Sequence, residues 1–191
     1  MAYCINCKHI GPASRSSPEA LFILWCGICM QYLTVLQLLI LLTMANGSPV
    51  VAKKIFGTSF SWPLDGNIKF VDGRPLFGAS KTVRGILVSI FITSGCALLL
   101  GLTLRLGLVV ATAAMAGDLL SSFLKRRLGL KPSSKAVGLD QIPESLFPLL
   151  PCRQALSLTS LDIVAGTAIF FVAEMTLSRF LFKLHIRDRP Y

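Results

Sequence analysis

The stretch that decides the fold is residues 111–135, ATAAMAGDLLSSFLKRRLGLKPSSK, an apolar run that contains one acid and ends in a basic cluster. A carboxylate within an apolar helix is costly unless it is paired or binds a cation, so Asp118 is a candidate functional residue. A helix with 3.6 residues per turn places four residues on one polar stripe: Asp118, Ser121, Ser122 and Lys125. The stripe predicts a site for a charged ligand.

The same residues also fit a face on which two helices pack. Gly117 and the serines are small enough to allow close approach of a second helix, and Asp118 could pair with an arginine from another segment. These residues alone leave both interpretations open.

The composition indicates a membrane protein that crosses the bilayer several times. Hydrophobic residues make up 53% of the 191 residues and charged residues only 15%, and the mean hydropathy is +0.68. A soluble domain of this size is rarely so apolar. The formal net charge of +10 would suggest nucleic acid in a soluble protein, but here the basic residues gather between apolar segments. That pattern indicates membrane topology, and no nucleic-acid partner is predicted.

Five apolar stretches predict an all-α protein with a single domain and five transmembrane helices. The expected spans are about 20–45, 83–101, 104–125, 140–158 and 161–184, and the basic loops are 46–82 and 126–139. The first span is expected to end at Asn46-Gly47-Ser48-Pro49, and the second and third to form a helical hairpin. The fourth contains Pro143, Pro148 and Pro151, so we expect a broken or kinked helix there.

The distribution of Lys and Arg predicts the orientation in the membrane. Most of them lie in the two basic loops and at the C-terminal end, whereas four fall on the other side: Lys8, Arg15, Arg105 and Arg153. The positive-inside rule then puts the N-terminus outside and the C-terminus in the cytoplasm. We therefore expect a multi-pass protein of the cell membrane whose site faces the cytoplasm.

The N-terminal segment contains Cys4, Cys7 and His9, a C-x-x-C followed by a histidine. Zinc needs four ligands, and no second pair with suitable spacing lies nearby. We assign this segment no function.

The first basic loop has the chemistry of a phosphate site. Its second half reads DGRPLFGASKTVRG over residues 72–85, where glycines allow close approach of the backbone. Lys81, Thr82 and Arg84 offer a point charge, a hydroxyl and a planar fork, which are natural partners of phosphate. The spacing does not fit a P-loop, and no strand precedes it. Binding of lipid headgroups is the alternative, but it accounts for the charge and not for the glycines or the acid.

Three ordered motifs resemble those of the CDP-archaeol synthases, membrane CTP-transferases related to the CDP-diacylglycerol synthases. The first is F-x-D-G-R-x-L-F-G-x-x-K-T-x-R-G at residues 70–85, and the second is G-D-L-x-x-S-F-x-K-R-R at residues 117–127. The third is L-D-Q at residues 139–141. The resemblance covers most of the chain from the first span onward, although Ala79 and Ser80 depart from the more polar pair that the family leads us to expect.

The resemblance implies a reaction between CTP and an ether-linked phosphatidic acid, 2,3-bis-O-geranylgeranyl-sn-glycerol 1-phosphate, that gives CDP-archaeol and pyrophosphate with Mg²⁺. Both reactants are anions, so such a site must supply cations. A strong general base is not required, because a phosphate monoester is already largely ionised near pH 7. The partners expected from the resemblance are CTP, the lipid phosphate and membrane lipids, and the oligomeric state is left open.

The motifs assign roles to individual residues. Asp118 is the expected Mg²⁺ ligand, and Asp140 is either a second ligand or the group that orients Lys125 or Arg126. Catalytic and phosphate contacts are expected from Lys81, Arg84, Lys125 and Arg126. The nucleotide or phosphate pocket is expected to include Asn67, Lys69, Asp72, Arg74, Thr82, Ser121, Ser122 and Arg127. For Asp72, plain turn chemistry is the alternative, because Asp-Gly before Arg-Pro forms a good turn without a ligand.

Other classes of function make different demands on the chain. A transporter would also place a carboxylate in a helix bundle, but the sequence shows no internal repeat and its charges cluster in loops. A lipid or polyprenol kinase would release a nucleoside diphosphate rather than pyrophosphate. A bacterial-type CDP-diacylglycerol synthase is the nearest alternative, and the shortness of the chain favours the archaeal branch.

Overall fold

The computed structural model describes residues 31–57, 59–66, 68–130 and 138–183. Within these residues the chain forms five helices and no named strand: α1 (Tyr32–Phe56), α2 (Val83–Leu99), α3 (Leu104–Arg127), α4 (Gln141–Ala155) and α5 (Ser160–Lys183). The predicted all-α fold is therefore confirmed for the described chain. The N-terminal Cys4, Cys7 and His9, the first part of the expected first span, and Asn67 lie outside the described residues.

Three of these helices, α1, α3 and α5, are long and apolar enough to cross a bilayer. The helix α2 is apolar but has 17 residues, or about 25 Å of rise, and α4 has 15 residues, or about 22 Å. Both are shorter than the roughly 30 Å of a bilayer core. Many large apolar side chains face outward, such as Phe91 at 75% and Leu99 at 89% exposure. An outer surface of this kind fits a lipid environment.

The core lies where α1 meets α3, α4 and α5. Its fully buried members include Leu38, Leu41 and Leu42 of α1 and Val110 of α3, and α4 and α5 add Cys152 and Phe170. These side chains pack one face of the short, proline-containing α4 against the longer helices, and its other face is exposed.

The predicted hairpin of α2 and α3 is confirmed, and small residues bring its two helices together. Gly101, with a φ of 73°, makes the turn, and Thr103 caps α3 by accepting a hydrogen bond from the Leu106 N–H at 3.3 Å. Below the turn, a Cβ at Gly107 would lie 2.7 Å from the Ala97 Cβ. Only glycine allows the two helices to approach this closely.

The expected end of the first helix is wrong, because α1 continues through Asn46-Gly47-Ser48-Pro49 to Phe56. Proline has no N–H, so Pro49 leaves the Ala45 carbonyl without its helical donor. The buried hydroxyl of Ser89 on α2 donates to that carbonyl at 2.8 Å. Because a neighbouring helix supplies the missing hydrogen bond, the helix passes the proline. The loop that precedes α2 therefore begins at Gly57.

This arrangement predicts coupling between Ser89 and Pro49. We expect Ser89→Ala to lower the free energy of unfolding by about 1–2 kcal/mol, because it leaves a buried carbonyl unsatisfied. In a Pro49→Ala background the residue 49 N–H supplies the missing donor to the Ala45 carbonyl. Ser89→Ala should then lower the free energy of unfolding by only a small part of the roughly 1–2 kcal/mol. Thermal unfolding of the four proteins in detergent measures both losses.

Ser94→Ala is the matched control, since the Ser94 hydroxyl is buried on the same helix and makes no hydrogen bond within the described chain. It should have little effect in either background. An equal loss from Ser89→Ala with and without Pro49 would contradict this account of how α1 passes the proline.

Candidate active site

The central contact of the candidate site joins the loop before α2 to the middle of α3. The Lys81 ammonium lies 2.5 Å from both carboxylate oxygens of Asp118. Both side chains are largely shielded, at 22% and 20% exposure. Thr82, the next residue, caps α2 by accepting a hydrogen bond from the Gly85 N–H at 3.2 Å. The N-terminus of α2 thereby holds Lys81 in place above Asp118.

Electrostatics keep Lys81 charged at this position. Burial lowers the pKa of the Lys81 ammonium, but the Asp118 carboxylate outweighs burial and raises that pKa above its usual value. Glu144 and Asp140 act in the same direction. Lys81 therefore carries its positive charge throughout the neutral range and loses it only at a pH above the normal lysine pKa of about 10.4.

A second acid, Glu144, joins the site, and sequence reasoning missed it. Glu144 is buried in the first turn of α4, and its carboxyl group lies within hydrogen-bond reach of Asp118. The sequence does contain a signal, because Glu144 follows Asp140 at a spacing of i, i+4, which places both on one face of a helix. Two acids in contact inside a bundle need a shared proton or a nearby cation, and the Lys81 ammonium interacts electrostatically with both of them.

Gly117 brings the two acids together. A Cβ at this position would lie 2.4 Å from the Pro143 carbonyl oxygen and 2.9 Å from the Glu144 backbone nitrogen. The backbone of α4 therefore rests directly on α3 beside Asp118. The packing interpretation of this stretch is confirmed at Gly117, and the contact places Glu144 against Asp118, whose partner is Lys81 rather than an arginine. The site for a charged ligand stays a prediction.

A second ion pair lies about two turns beyond Asp118 along α3. The Lys125 ammonium is 2.5 Å from Asp140 Oδ2, and Lys125 is buried. Asp140 was expected to orient Lys125 or Arg126, and in the structure it pairs with Lys125. The other carboxylate oxygen, Asp140 Oδ1, is buried and accepts no hydrogen bond from the described residues. The site thus contains two carboxylate–lysine pairs, and α3 supplies one member of each, Asp118 and Lys125.

Arg126 is also buried, and it lies against the loop. A Cβ at Gly78 would be 3.9 Å from the Arg126 Cδ, so the two are in van der Waals contact. Asp65 shapes this part of the loop, because its Oδ2 accepts hydrogen bonds from the Phe77 N–H at 3.1 Å and the Gly78 N–H at 2.9 Å. Sequence reasoning missed Asp65.

Several of the predicted pocket residues clamp the loop onto the C-terminal end of α3. Arg74 donates to the carbonyls of Arg126 at 3.2 Å and Arg127 at 2.9 Å, which satisfies the end of the helix. Arg127 pairs with Asp72 and donates to the Pro75 carbonyl at 2.8 Å. This clamp carries the loop back over α3, where Lys81 meets Asp118.

Asp72 also makes the turn that its sequence context allowed. Its carboxylate accepts a hydrogen bond from the Arg74 N–H at 3.1 Å. Burial raises the pKa of the Asp72 carboxyl, but the Arg74 N–H and the charge of Arg127 outweigh burial and lower that pKa. The clamp therefore stays ionised through the neutral range and weakens only in acid below the normal aspartate pKa of about 3.9.

The aromatic rings beside the clamp hold Arg127 from its other side. The Arg127 guanidinium lies 4.7 Å from the centroid of the Phe70 ring and 5.0 Å from that of Phe123. The two rings meet edge to face, with centroids 5.6 Å apart. These contacts add cation–π attraction to the ion pair with Asp72.

The remaining predicted residues do not take part in the two ion pairs. Their side chains contact the backbone, are buried among neighbours or are exposed. Arg84 donates to the carbonyls of Ser59 and Gly57 and lies over the Phe56 ring, so it ties the start of the loop to α2. Ser121 donates to the Asp118 carbonyl oxygen at 2.9 Å, and Ser122 is buried next to it. Lys69 is exposed and pairs through its backbone with Pro75.

The acids of the site have the chemistry of a Mg²⁺ site. Within the described residues, no group of three or more His, Cys, Asp or Glu side chains has the geometry to hold a metal ion. Nucleotide-bound Mg²⁺ usually takes one or two carboxylates and completes its shell with phosphates and water. Asp118 with Glu144, and the buried Oδ1 of Asp140, offer such a set, so the residues present fit the ion.

The structure thus combines apolar helices that fit a membrane with a shielded cluster of paired charges. A family model described as "CarS-like: CDP-archaeol synthase" matches residues 28–191. The chain belongs to the CDP-archaeol synthase family. The resemblance carried by the three motifs is thereby confirmed.

Individual relatives agree with the family model. A CDP-archaeol synthase of Sulfurisphaera tokodaii is 32% identical over 153 residues, which cover 77% of this chain and 89% of the relative. One of Thermococcus onnurineus is 36% identical over 158 residues, with 77% and 89% covered. Among solved structures, one described as "an intramembrane enzyme for archaeal membrane lipids biosynthesis" has a TM-score of 0.60 and 27% identity over 72% of this chain and 90% of that one. These matches favour the archaeal branch over a bacterial-type synthase.

The contact at Gly117 predicts opposite effects for two glycine substitutions. Gly117→Ala should lower the free energy of unfolding by about 1–3 kcal/mol, because the new Cβ meets the backbone of α4. Gly95→Ala on α2 should raise it by up to about 1 kcal/mol, since a Cβ there meets nothing within 4 Å and alanine favours a helix. Thermal unfolding in detergent gives both signs, and a stabilising Gly117→Ala would refute the close contact.

Proposed function

We propose that the chain transfers CMP from CTP to 2,3-bis-O-geranylgeranyl-sn-glycerol 1-phosphate and forms CDP-archaeol and pyrophosphate. The observation that carries this proposal is the presence of two carboxylate–lysine pairs along one apolar helix, Lys81–Asp118 and Lys125–Asp140, each with one member on α3. Family membership supports the same reaction. The lysines of this site can bind phosphates and its acids a divalent cation, at a position that a membrane lipid can reach.

The reaction balances as a displacement at phosphorus. An oxygen of the lipid phosphate attacks the α-phosphorus of CTP, a new P–O–P bond forms, and the bond from the α-phosphorus to the bridging oxygen of the pyrophosphate breaks. The lipid phosphate is already ionised near pH 7, so the residues need to bring two anions together rather than remove a proton. Positive charge that neutralises the entering and leaving groups lowers the barrier.

The two lysines are the groups best placed to supply that charge. In the structure each ammonium is held by a carboxylate at 2.5 Å, in a shielded position. Phosphate oxygens offer the same ammonium groups a second set of anionic partners, so Lys81 and Lys125 can bind substrate without leaving a charge unpaired. Arg126, which is buried against Gly78, adds a third cation at the mouth of the loop.

Asp118 together with Glu144, or else Asp140 through its second carboxylate oxygen, would hold Mg²⁺ when the nucleotide is bound. The ion would neutralise the triphosphate and polarise the reacting phosphorus. The acids have a further role that the structure supports directly, because they fix the lysines at the site before substrate arrives.

The other predicted residues divide into positioning and binding roles in this proposal. Arg74, Asp72 and Arg127 hold the loop on α3, and Thr82 fixes the start of α2. Lys69 and Asn67, on the same loop, remain proposed contacts of the nucleotide. Arg84, Ser121 and Ser122 act through packing and loop order rather than as the first contacts of the phosphates.

We further propose five spans, with the N-terminus outside and the site at the cytoplasmic face. The support is the charge pattern: the C-terminal turn of α1 carries Lys53 and Lys54, and that of α3 carries Lys125, Arg126 and Arg127. Such clusters favour the cytoplasmic side. The short α4 would cross with one face packed on its longer neighbours.

The proposed reaction predicts unequal roles for the lysines. Lys81→Ala and Lys125→Ala should each lower kcat/KM by about 10- to 1000-fold, which corresponds to about 1.4–4 kcal/mol of lost transition-state stabilisation. Lys53→Ala and Lys54→Ala, at exposed positions on α1, should be nearly silent. The measurement is pyrophosphate release from CTP that depends on the lipid phosphate and Mg²⁺.

Equal losses in all four variants would mean that the basic residues act only as a general surface charge. Release of CDP in place of pyrophosphate would show a kinase, and no lipid-dependent release by the wild type would refute the proposed function.

The proposed topology predicts which positions a membrane-impermeant thiol reagent labels. In a background without other cysteines, Val71→Cys, whose side chain is 96% exposed, should react only from the cytoplasmic side. Arg153→Cys, near the end of α4, should react only from outside. Labelling of both from one side would refute a five-span arrangement with both basic loops in the cytoplasm.

A further inference from the structure

A cavity of about 570 Å³ lies between α1 and α5, apart from the two ion pairs. Ligand pockets in proteins commonly have about 300–1,000 Å³. Its walls come from the C-terminal halves of both helices and include Asn46, Gly47 and Val50 of α1 and Ala173, Leu177 and Phe180 of α5. We call this cavity the α1–α5 groove.

Small residues keep the groove open. A Cβ at Gly47 would meet nothing within 4 Å, so the groove side of α1 faces empty space at that point. Ala173 stands on the wall formed by α5, and the larger Phe170 and Phe180 belong to the same wall. Side chains of ordinary size at Gly47 and Ala173 would close the gap.

The groove is apolar apart from a few groups, and one of them is a buried donor. The amide nitrogen of Asn46 is shielded from solvent and donates no hydrogen bond to the described residues. Because this nitrogen has no surface open to the groove, the Asn46 amide lies on the packed side of the wall. None of the residues that line the groove is basic, and Glu174 is acidic. A triphosphate is therefore a poor occupant.

The groove adjoins the charged site through its acidic residue. Glu174 interacts electrostatically with Glu144, which in turn lies within hydrogen-bond reach of Asp118. A molecule in the groove thus has its polar end next to the site and its apolar part along α1 and α5.

We propose that the α1–α5 groove binds the lipid substrate, with a hydrocarbon chain along its apolar walls and the glycerol end next to Glu174 and the charged site. This inference rests on the proposed function, because that reaction requires a lipid phosphate at the site. The chains of such a lipid must stay in apolar surroundings while its phosphate reaches Lys81 and Lys125. An apolar groove with Glu174 at its charged end meets both demands.

Filling the groove tests the proposal. Gly47→Leu should raise KM for the lipid phosphate about 10-fold or more and leave KM for CTP unchanged, since a pocket change of this size commonly shifts recognition by 10- to 200-fold. Gly95→Leu is the matched control, because Gly95 also faces open space, on α2 and away from the groove. It should change neither KM.

A lipid phosphate with chains too short to fill the groove gives a second arm. With that substrate, Gly47→Leu and the wild type should have the same KM. If Gly47→Leu fails to fold, Ala173→Leu fills the groove from the side of α5.

The inference is overturned if the variants leave the lipid KM unchanged, or if they raise the KM for CTP equally. In both cases the proposed function still stands if the wild type releases pyrophosphate in a lipid-dependent manner. A wild type without that release would refute the proposed function itself.

Discussion

A carboxylate inside an apolar helix bundle must be paired, and the pairing of Asp118 organises much of this structure. Removing a charge from water costs several kcal/mol unless a partner replaces the lost solvation. Lys81 is that partner, at 2.5 Å from both carboxylate oxygens. The loop between α1 and α2 must therefore fold back over α3 to deliver the ammonium, and everything that shapes this loop serves that contact.

The clamp at the end of α3 shows how the loop is held in that position. Arg74 satisfies the last carbonyls of the helix, and Arg127 pairs with Asp72 while it lies between two aromatic rings. Asp65 orders the following turn at Phe77 and Gly78. On the opposite side, Gly117 lets α4 rest on α3 and bring in Glu144. These few contacts bring two lysines and three acids together in one site.

The sequence predicts those features that depend on local pattern. The helical hairpin, the importance of Asp118, the basic loop and the link between Asp140 and Lys125 all follow from apolar runs, charges and motifs. The passage of α1 through Pro49 could not be predicted, because the hydrogen bond that permits it comes from Ser89 on another helix. Glu144 and Asp65 were missed for the same reason, since only tertiary packing shows which acids meet the site. Residues such as Arg127 were expected at phosphates, whereas the structure shows them holding the loop.

The central claim is that Asp118 organises the cations that carry out the reaction, and Asp118→Asn tests it most directly. Pyrophosphate release from CTP, dependent on the lipid phosphate and Mg²⁺, is measured for this variant and for Asp162→Asn, a buried acid at the start of α5 that binds the Thr159 and Gln31 backbone. We expect Asp118→Asn to insert and purify but to lose at least about 100-fold in turnover. A loss of this order is expected when an electrostatic contact is removed from such a site. Asp162→Asn should affect stability more than turnover. Near-normal turnover in Asp118→Asn would contradict the account.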